Sequence, residues 1–232
     1  MLLPNPKPRA YPFKQPFDLD KSCVLALMPE RCSGTKWHDY SGKGNHGTIT
    51  GASHTSKGRY GPGLLFDGED DYVNCGNDNS LDITSAITIE AWVKINIAGI
   101  QSIVIKRDTS AGGLIFRIDT YNYLQFLFHN GSNWITSTDN VATFPINDWV
   151  HATVTYDKSN VIFYVNGIVT KIVPQTDNIA SHLTDDLRIG IQGFNNYAPF
   201  NGTIDEVRIY NRALGADEVR NRYELGSLIY YI

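Results

Sequence analysis

Apolar and polar residues alternate with a period of two through segment after segment of this chain. In "AITIEAWVKI" (86–95), Ile87, Ile89, Ala91, Val93 and Ile95 share one parity while Thr88, Glu90, Trp92 and Lys94 hold the other. This is the pattern of a strand whose successive side chains leave opposite faces, one of them buried. "QSIVIKR", "GLIFRID", "YLQFLFHNGSNWITST", "DWVHATVTYD", "NVIFYVNGIVTKIV", "DLRIGIQG" and "GTIDEVRIYNR" continue in the same style. Asn130-Gly131 and Asn166-Gly167 stand between such flanks, and both residues of Asn-Gly tolerate the positive φ of a type I′ hairpin turn. Turn signals about every 8 to 12 residues, with almost no helical periodicity, predict an all-β, two-sheet antiparallel sandwich. One helix is predicted, over "GADEVRNRYEL" (215–225), with Asp217 as its cap and Val219, Tyr223 and Leu225 as a short apolar stripe. No repeat of roughly 20 to 50 residues stands out.

A chain of 232 residues has room for one large all-β domain or two smaller ones, and one is the simpler expectation. Its 10 Phe, 13 Tyr and 4 Trp supply enough apolar surface for a sizeable core. A net charge of −4, with Lys and Arg scattered along the chain, lacks the basic stripe of a nucleic-acid binder. No apolar run approaches the ~18 residues of a membrane span. Residues 1–20 carry five prolines among basic and aromatic residues, which suits an extended arm rather than a sheet. The domain is expected over 21–225, with an apolar tail at 226–232. The prolines of the first residues occupy the place of a signal peptide's apolar region; the expected location is therefore a particle surface released by lysis, with the cytoplasm or non-classical secretion as alternatives. Cys23 and Cys32 bracket a stretch that a disulfide could close in an oxidising compartment, which would leave Cys75 single.

Four acids, Asp67, Glu69, Asp70 and Asp71, crowd the segment "LLFDGEDDYVNCG" (64–76) between two strand-like edges. They could shape a turn by capping its N–H groups, or hold calcium, a hard cation that takes roughly 6 to 8 oxygens. The spacing is not that of an EF-hand, since glycine at the sixth position and glutamate at the twelfth are missing. No Gly-x-Ser-x-Gly, His-Glu-x-x-His or phosphate-binding loop occurs. The six histidines are dispersed, and His151, alternating with Val150 and Ala152, reads as a sheet-face residue rather than a base.

The segments "HDYSGKGNHGTITGA" (38–52), "GRYGPGLLFDGEDDYVNCG" (58–76), "ITIEAWVKI" with "DWVHATVTYDKSNVIFYVNGI" (148–168), and "FNGTIDEVRIYNRALGADEV" (200–219) occur in this order. Together they resemble the laminin G-like and pentraxin-like branch of the concanavalin A-like lectin/glucanase superfamily. The resemblance implies a jelly roll with first and last strands side by side, in a class that mostly binds glycans or proteins. It also implies a structural calcium held by an Asp that opens the last strand: Asp205 in "IDEVRIY", with Asp39 and carbonyls of residues 40–44 as partner. The leader "RAYPFKQPFDLDKS" is similar to that of such domains in bacteriophage structural proteins. Glucanases of the superfamily use two carboxylates flanking the scissile bond, which a Glu-x-Asp-x-x-Glu strand would present. No such string occurs, so no catalytic residue is assigned.

Sugar rings stack on aromatic faces while their hydroxyls need amide or carboxylate partners. "GFNNYAPFNG" (193–202) mixes Phe194, Asn195, Asn196, Tyr197 and Phe200 without a strand period, and these residues, with Trp134 just after the Asn130-Gly131 turn, form the candidate glycan site. The alternative for 193–202 is a lid packed on the sandwich edge. Trp37, Trp92 and Trp149 read as core. The sequons at Asn130 and Asn201 carry no weight without secretion. The apolar arm and tail would leave surface for a homo-oligomer or other virion proteins to cover. The expected function is a non-catalytic carbohydrate-binding or adhesion module on a phage or virus surface, with a glycan or cell-surface polysaccharide as partner. The alternatives are a free binding module and a glucanase-like hydrolase.

Overall fold

Nearly every alternating segment becomes a strand. The computed structural model describes residues 21–107, 112–192 and 197–228, with backbone alone at 29–33 and 225–228. In chain order the strands are β1 (Cys23–Ser33), β2 (Lys36–Asp39), β3 (Gly47–Thr50), β4 (Ser53–Thr55), β5 (Gly63–Asp67), β6 (Tyr72–Asn74), β7 (Ile87–Ile95) and β8 (Gln101–Lys106). Then follow β9 (Leu114–Ile118), β10 (Tyr123–His129), β11 (Trp134–Thr143), β12 (Val150–Tyr156), β13 (Asn160–Val165), β14 (Ile168–Pro174), β15 (Leu187–Ile189), β16 (Asn201–Tyr210) and helix α1 (Ala216–Leu228). The arm at 1–20 and the end of the tail lie outside the described residues.

Hydrogen-bonded neighbours run β11-β10-β9-β8-β15-β6-β3-β2-β1-β16-β7-β12-β13-β14, with β5 on β16 and β4 on β5. The first strand lies beside the last, Leu25 opposite Ile209 and Leu27 opposite Val207. The path doubles back on itself, and inward side chains of both halves, among them Phe116, Phe126, Phe128, Ile89, Val93, Val154 and Phe163, form one core. Each such side chain contributes about 1.5–3 kcal/mol on burial. The free ends of the path meet where the Thr170 hydroxyl of β14 donates to Asp139 Oδ2 of β11 at 2.6 Å. The molecule is thus the expected all-β antiparallel sandwich with a short C-terminal helix.

Several local expectations change. β7 is buried on both faces, Thr88, Glu90 and Trp92 included, because α1 lies across its outer side. Asp217 does not cap that helix. Glu218 reaches back to accept from Gly215 N at 2.9 Å, half of a capping box, and Arg212 grips the same carboxylate at 2.6 and 2.8 Å. Asn166 (φ 53°) and Gly167 (φ 75°) form the expected type I′ turn. Asn130 does not: its Oδ1 instead accepts from Ser132 N and Asn133 N in a longer loop. Cys23 is a free buried thiol, pushed up to about 12 by burial. It lies on the same strand as Cys32, nine residues and on the order of 30 Å apart, so no bridge joins them.

Candidate functional site

Along β9, β10 and β11, residues that alternate with the core point away from it. Core positions Leu114, Phe116, Ile118, Leu124, Phe126 and Phe128 leave Arg117, Gln125, Leu127 and His129 outward, with Trp134 and Thr138 beside them on β11. Register then assembles a polar row: Gln125 is opposite both Arg117 and Thr138. Arg117 Nε donates to Gln125 Oε1 at 2.8 Å, and Gln125 Nε2 donates to Thr138 Oγ1 at 3.0 Å.

Four residues along the same strand, roughly 13 Å away, Trp134 sits opposite His129 with ring centroids 5.6 Å apart. The Arg107 guanidinium lies 4.7 Å from the Trp134 ring centre. Burial pulls the pKa of Arg107 down, as it does that of Arg117, where the positive charge of Arg107 adds to the effect. The segment before β16 is tied to β8, Ser102 N donating to Ala198 O at 2.9 Å. It presents Tyr197, 47% exposed, within electrostatic range of Arg117. Across the layer, Arg188 stands over Tyr72 at 5.2 Å.

The structure thus keeps Trp134 and Tyr197 of the expected glycan residues on accessible surface. Phe200 is a correction: it is fully buried, edge-on to Phe66 at 5.9 Å, because Phe200 N bonds to Gly190 O and turns the ring inward. Phe194, Asn195 and Asn196 lie outside the described residues. Arg107, Arg117 and Arg188 were missed by sequence reasoning; the only signal was their outward parity.

Asp39 and Asp205 are not brought together. Asp39 is opposite Leu27, which is opposite Val207, so β1 separates their strands by two spacings, roughly 10 Å. Asp39 accepts from Ala26 N, Ser41 N, Ser41 Oγ and Asn45 N at 2.7–2.9 Å. Asp205 Oδ2 accepts from Arg59 N and Tyr60 N. These residues do not fit one shared ion. Carboxylate oxygens of Asp67, Asp70 and Asp71 do converge, all within 4.8 Å of one another. Burial raises the Asp71 pKa, and the negative charges of Asp67, Asp70 and Glu69 add to it.

The opposite layer carries a second polar cluster, closed to solvent. Glu90 Oε1 lies 3.5 Å from Arg208 and 3.8 Å from Arg222, and its Oε2 lies 3.7 Å from His151. Trp92 stacks on Tyr223 of α1 at 5.7 Å. At the rim of this layer a half-open groove of about 430 Å³ runs between Ile168 and Val169 of β14 and Asp217, Arg220 and Tyr223 of α1. Ile168 is exposed there, at 70%, and Ile172, farther along β14, is exposed at 53%.

A family model described as the concanavalin A-like lectin/glucanases superfamily, of laminin G type, matches residues 67–220. No curated protein matches the sequence. Among solved structures, domain 4 of AbnA, a GH43 extracellular arabinanase from Geobacillus stearothermophilus in complex with arabinotriose, superposes with a TM-score of 0.71 at 18% identity, covering 86% of this chain and 97% of that one. The binding domain of Paraclostridial Mosquitocidal Protein 1 gives 0.70 at 19%, over 88% of this chain and 52% of that one. The receptor binding domain of botulinum neurotoxin D gives 0.69 at 17%, over 90% and 54%. This chain therefore spans about half of the two toxin domains and nearly all of the arabinanase domain.

Proposed function

The chain belongs to the concanavalin A-like lectin/glucanase superfamily, and from that premise we propose that it is a non-catalytic carbohydrate-binding module. Its ligand lies on the outer face of β9, β10 and β11. The observation that carries this reading is one accessible face that joins the Trp134 ring to the hydrogen-bonded row Arg117–Gln125–Thr138. Stacking area and polar partners about 13 Å apart suit an extended ligand of several rings. Similar structures include a domain in complex with arabinotriose and binding domains of toxins, and the shared fold supports the reading. Bond cleavage would need two opposed carboxyls about 5 to 9.5 Å apart, whereas the outward residues of these strands are aromatic, amide, hydroxyl, guanidinium and aliphatic. A glycan array tests the proposal: Trp134→Ala should weaken whatever binding the intact chain shows. An array blank for the intact chain, or reducing sugar released from a polysaccharide, would sink it.

The same reading extends to display on a phage or virus particle. Its supports are the leader of residues 9–22 and the exposed apolar rim at Ile168 and Ile172.

Among the described residues a calcium ion would find converging carboxylates at Asp67, Asp70 and Asp71, where burial first, and then the negative charges of Asp67, Asp70 and Glu69, raise the pKa of Asp71, and a cation would offset the like-charge part. Chelator should lower Tm for the intact chain and not for Asp70→Asn. An unchanged Tm in the intact chain leaves these acids as turn caps.

A further inference from the structure

We infer that Asn130 is a self-modification site, at which the fold promotes loss of ammonia to a succinimide and then conversion to an aspartyl or isoaspartyl residue. The inference is independent of the carbohydrate-binding reading. Asn-Gly occurs at 130, 166 and 201, and a glycine in second place leaves its backbone nitrogen unshielded for attack on the preceding side chain. At Asn130 the surroundings match each need of that reaction.

Gly131 N, the nucleophile, donates to His129 Nδ1 at 3.2 Å, so an imidazole lone pair stands where a general base must. Asn130 Oδ1 gathers negative charge as the carbon becomes tetrahedral. It accepts from Ser132 N at 3.0 Å and Asn133 N at 2.8 Å, a pair of donors of the kind that stabilises an oxyanion. Asn130 Nδ2, the leaving nitrogen, donates to Asp177 Oδ1 at 2.9 Å. A Cβ built on Gly131 would meet nothing within 4 Å, and residues 131–133 are exposed, which leaves room for the ring and for water.

Water is the one reagent the sequence of steps requires. The bond from Gly131 N to Asn130 Cγ forms as the amide proton passes to His129 Nδ1. The Cγ–Nδ2 bond then breaks as that proton is handed to Nδ2, and ammonia departs. Water opens the ring at either carbonyl. The product exchanges the amide that serves Asp177 for a second carboxylate, and the repulsion loosens the loop from which β11 and Trp134 start.

The other two sequences are held differently. Asn166 Oδ1 accepts from His151 N at 2.9 Å, and Gly167 lies under α1, where a Cβ would stand 3.0 Å from that of Tyr223. Gly202 sits inside β16, between Phe66 and Ile95 of the neighbouring strands.

The test incubates the intact chain at neutral pH, folded and in urea, and follows all three sites by peptide mapping and mass spectrometry. Position 130 should react about tenfold or more faster folded than unfolded, as a positioned base and oxyanion donors imply, whereas 166 and 201 should react more slowly when folded. His129→Gln keeps an acceptor for Gly131 N but takes up no proton, and should slow the folded rate at 130 by about tenfold or more. Free imidazole should restore part of the rate to His129→Ala. The comparison of folded with urea-unfolded intact chain stands even where a variant folds poorly. A folded rate at 130 below the rate in urea would show that these hydrogen bonds protect the amide, and would overturn the inference. So would a His129→Gln rate equal to that of the intact chain.

Discussion

His151 is almost fully buried between Trp92 and Thr153 on the covered side of the sandwich. Burial first, and then the charge of Arg208, lower its pKa from 6.5 to about 3. The folded protein therefore holds the ring neutral where the unfolded chain would protonate it. Its contribution to stability is complete above about pH 6.5 and is lost as pH falls toward 3, because the unfolded state binds the extra proton in that window. Tm measured across that range should fall with acid, and His151→Gln should flatten the slope; parallel curves for the two proteins would refute this. Phe200 and Tyr197 make a second contrast at the same scale. Phe200→Ala empties a core position and should cost about 3–5 kcal/mol, whereas Tyr197→Ala, on the surface, should stay within about 0.5 kcal/mol and weaken only ligand binding. Chemical denaturation of both variants decides. The two residues could not be told apart in sequence, since an aromatic loop without a period carries no parity to sort its rings.

Helix α1 is the element whose role only its packing reveals. Its sequence shows a short apolar stripe, yet its hold on the sheet combines Val219, fully buried, with Tyr223 stacked on Trp92 and Arg222 placed 4.6 Å from the Tyr210 ring centre and 3.8 Å from Glu90. Burial pushes the Glu90 carboxyl up, against the pull of Arg222 and Arg208. Arg222→Ala leaves that acid with less compensation and should destabilise by at least ~1 kcal/mol. Amide exchange at residues 216–224 should quicken more than exchange in β10 or β12; unchanged protection of the helix would show that apolar contacts alone hold it. Glu90 on β7 was legible as sharing a face with Trp92, but the two arginines that meet it come from β16 and α1, more than a hundred residues away in the chain.

At the scale of the whole molecule, display on a particle needs contacts between copies or with other proteins, and the rim formed by β14 and α1 offers exposed apolar side chains, Ile168 and Val169, for such a contact. If the arm mediates assembly, sedimentation should find a stable oligomer that falls apart when residues 1–20 are deleted; a clean monomer before deletion would remove the assembly proposal. Ile168→Lys should act in the same direction if this rim joins the contact. The sequence by itself determined the run of strands from β7 to β16 and the turn at Asn166-Gly167, because alternation and turn chemistry are local and repeat with the backbone's own period. Only the tertiary structure decided which outward face stays open and which is closed. Trp92 and Trp134 both lie on outward faces, but α1 returns to cover the first, and the neighbours of the second leave it accessible beside Arg107. Arg117 meets Gln125, and Gln125 meets Thr138, only through strand register. Those outcomes depend on residues far apart in the chain, and local periodicity holds no information about which distant partner will arrive.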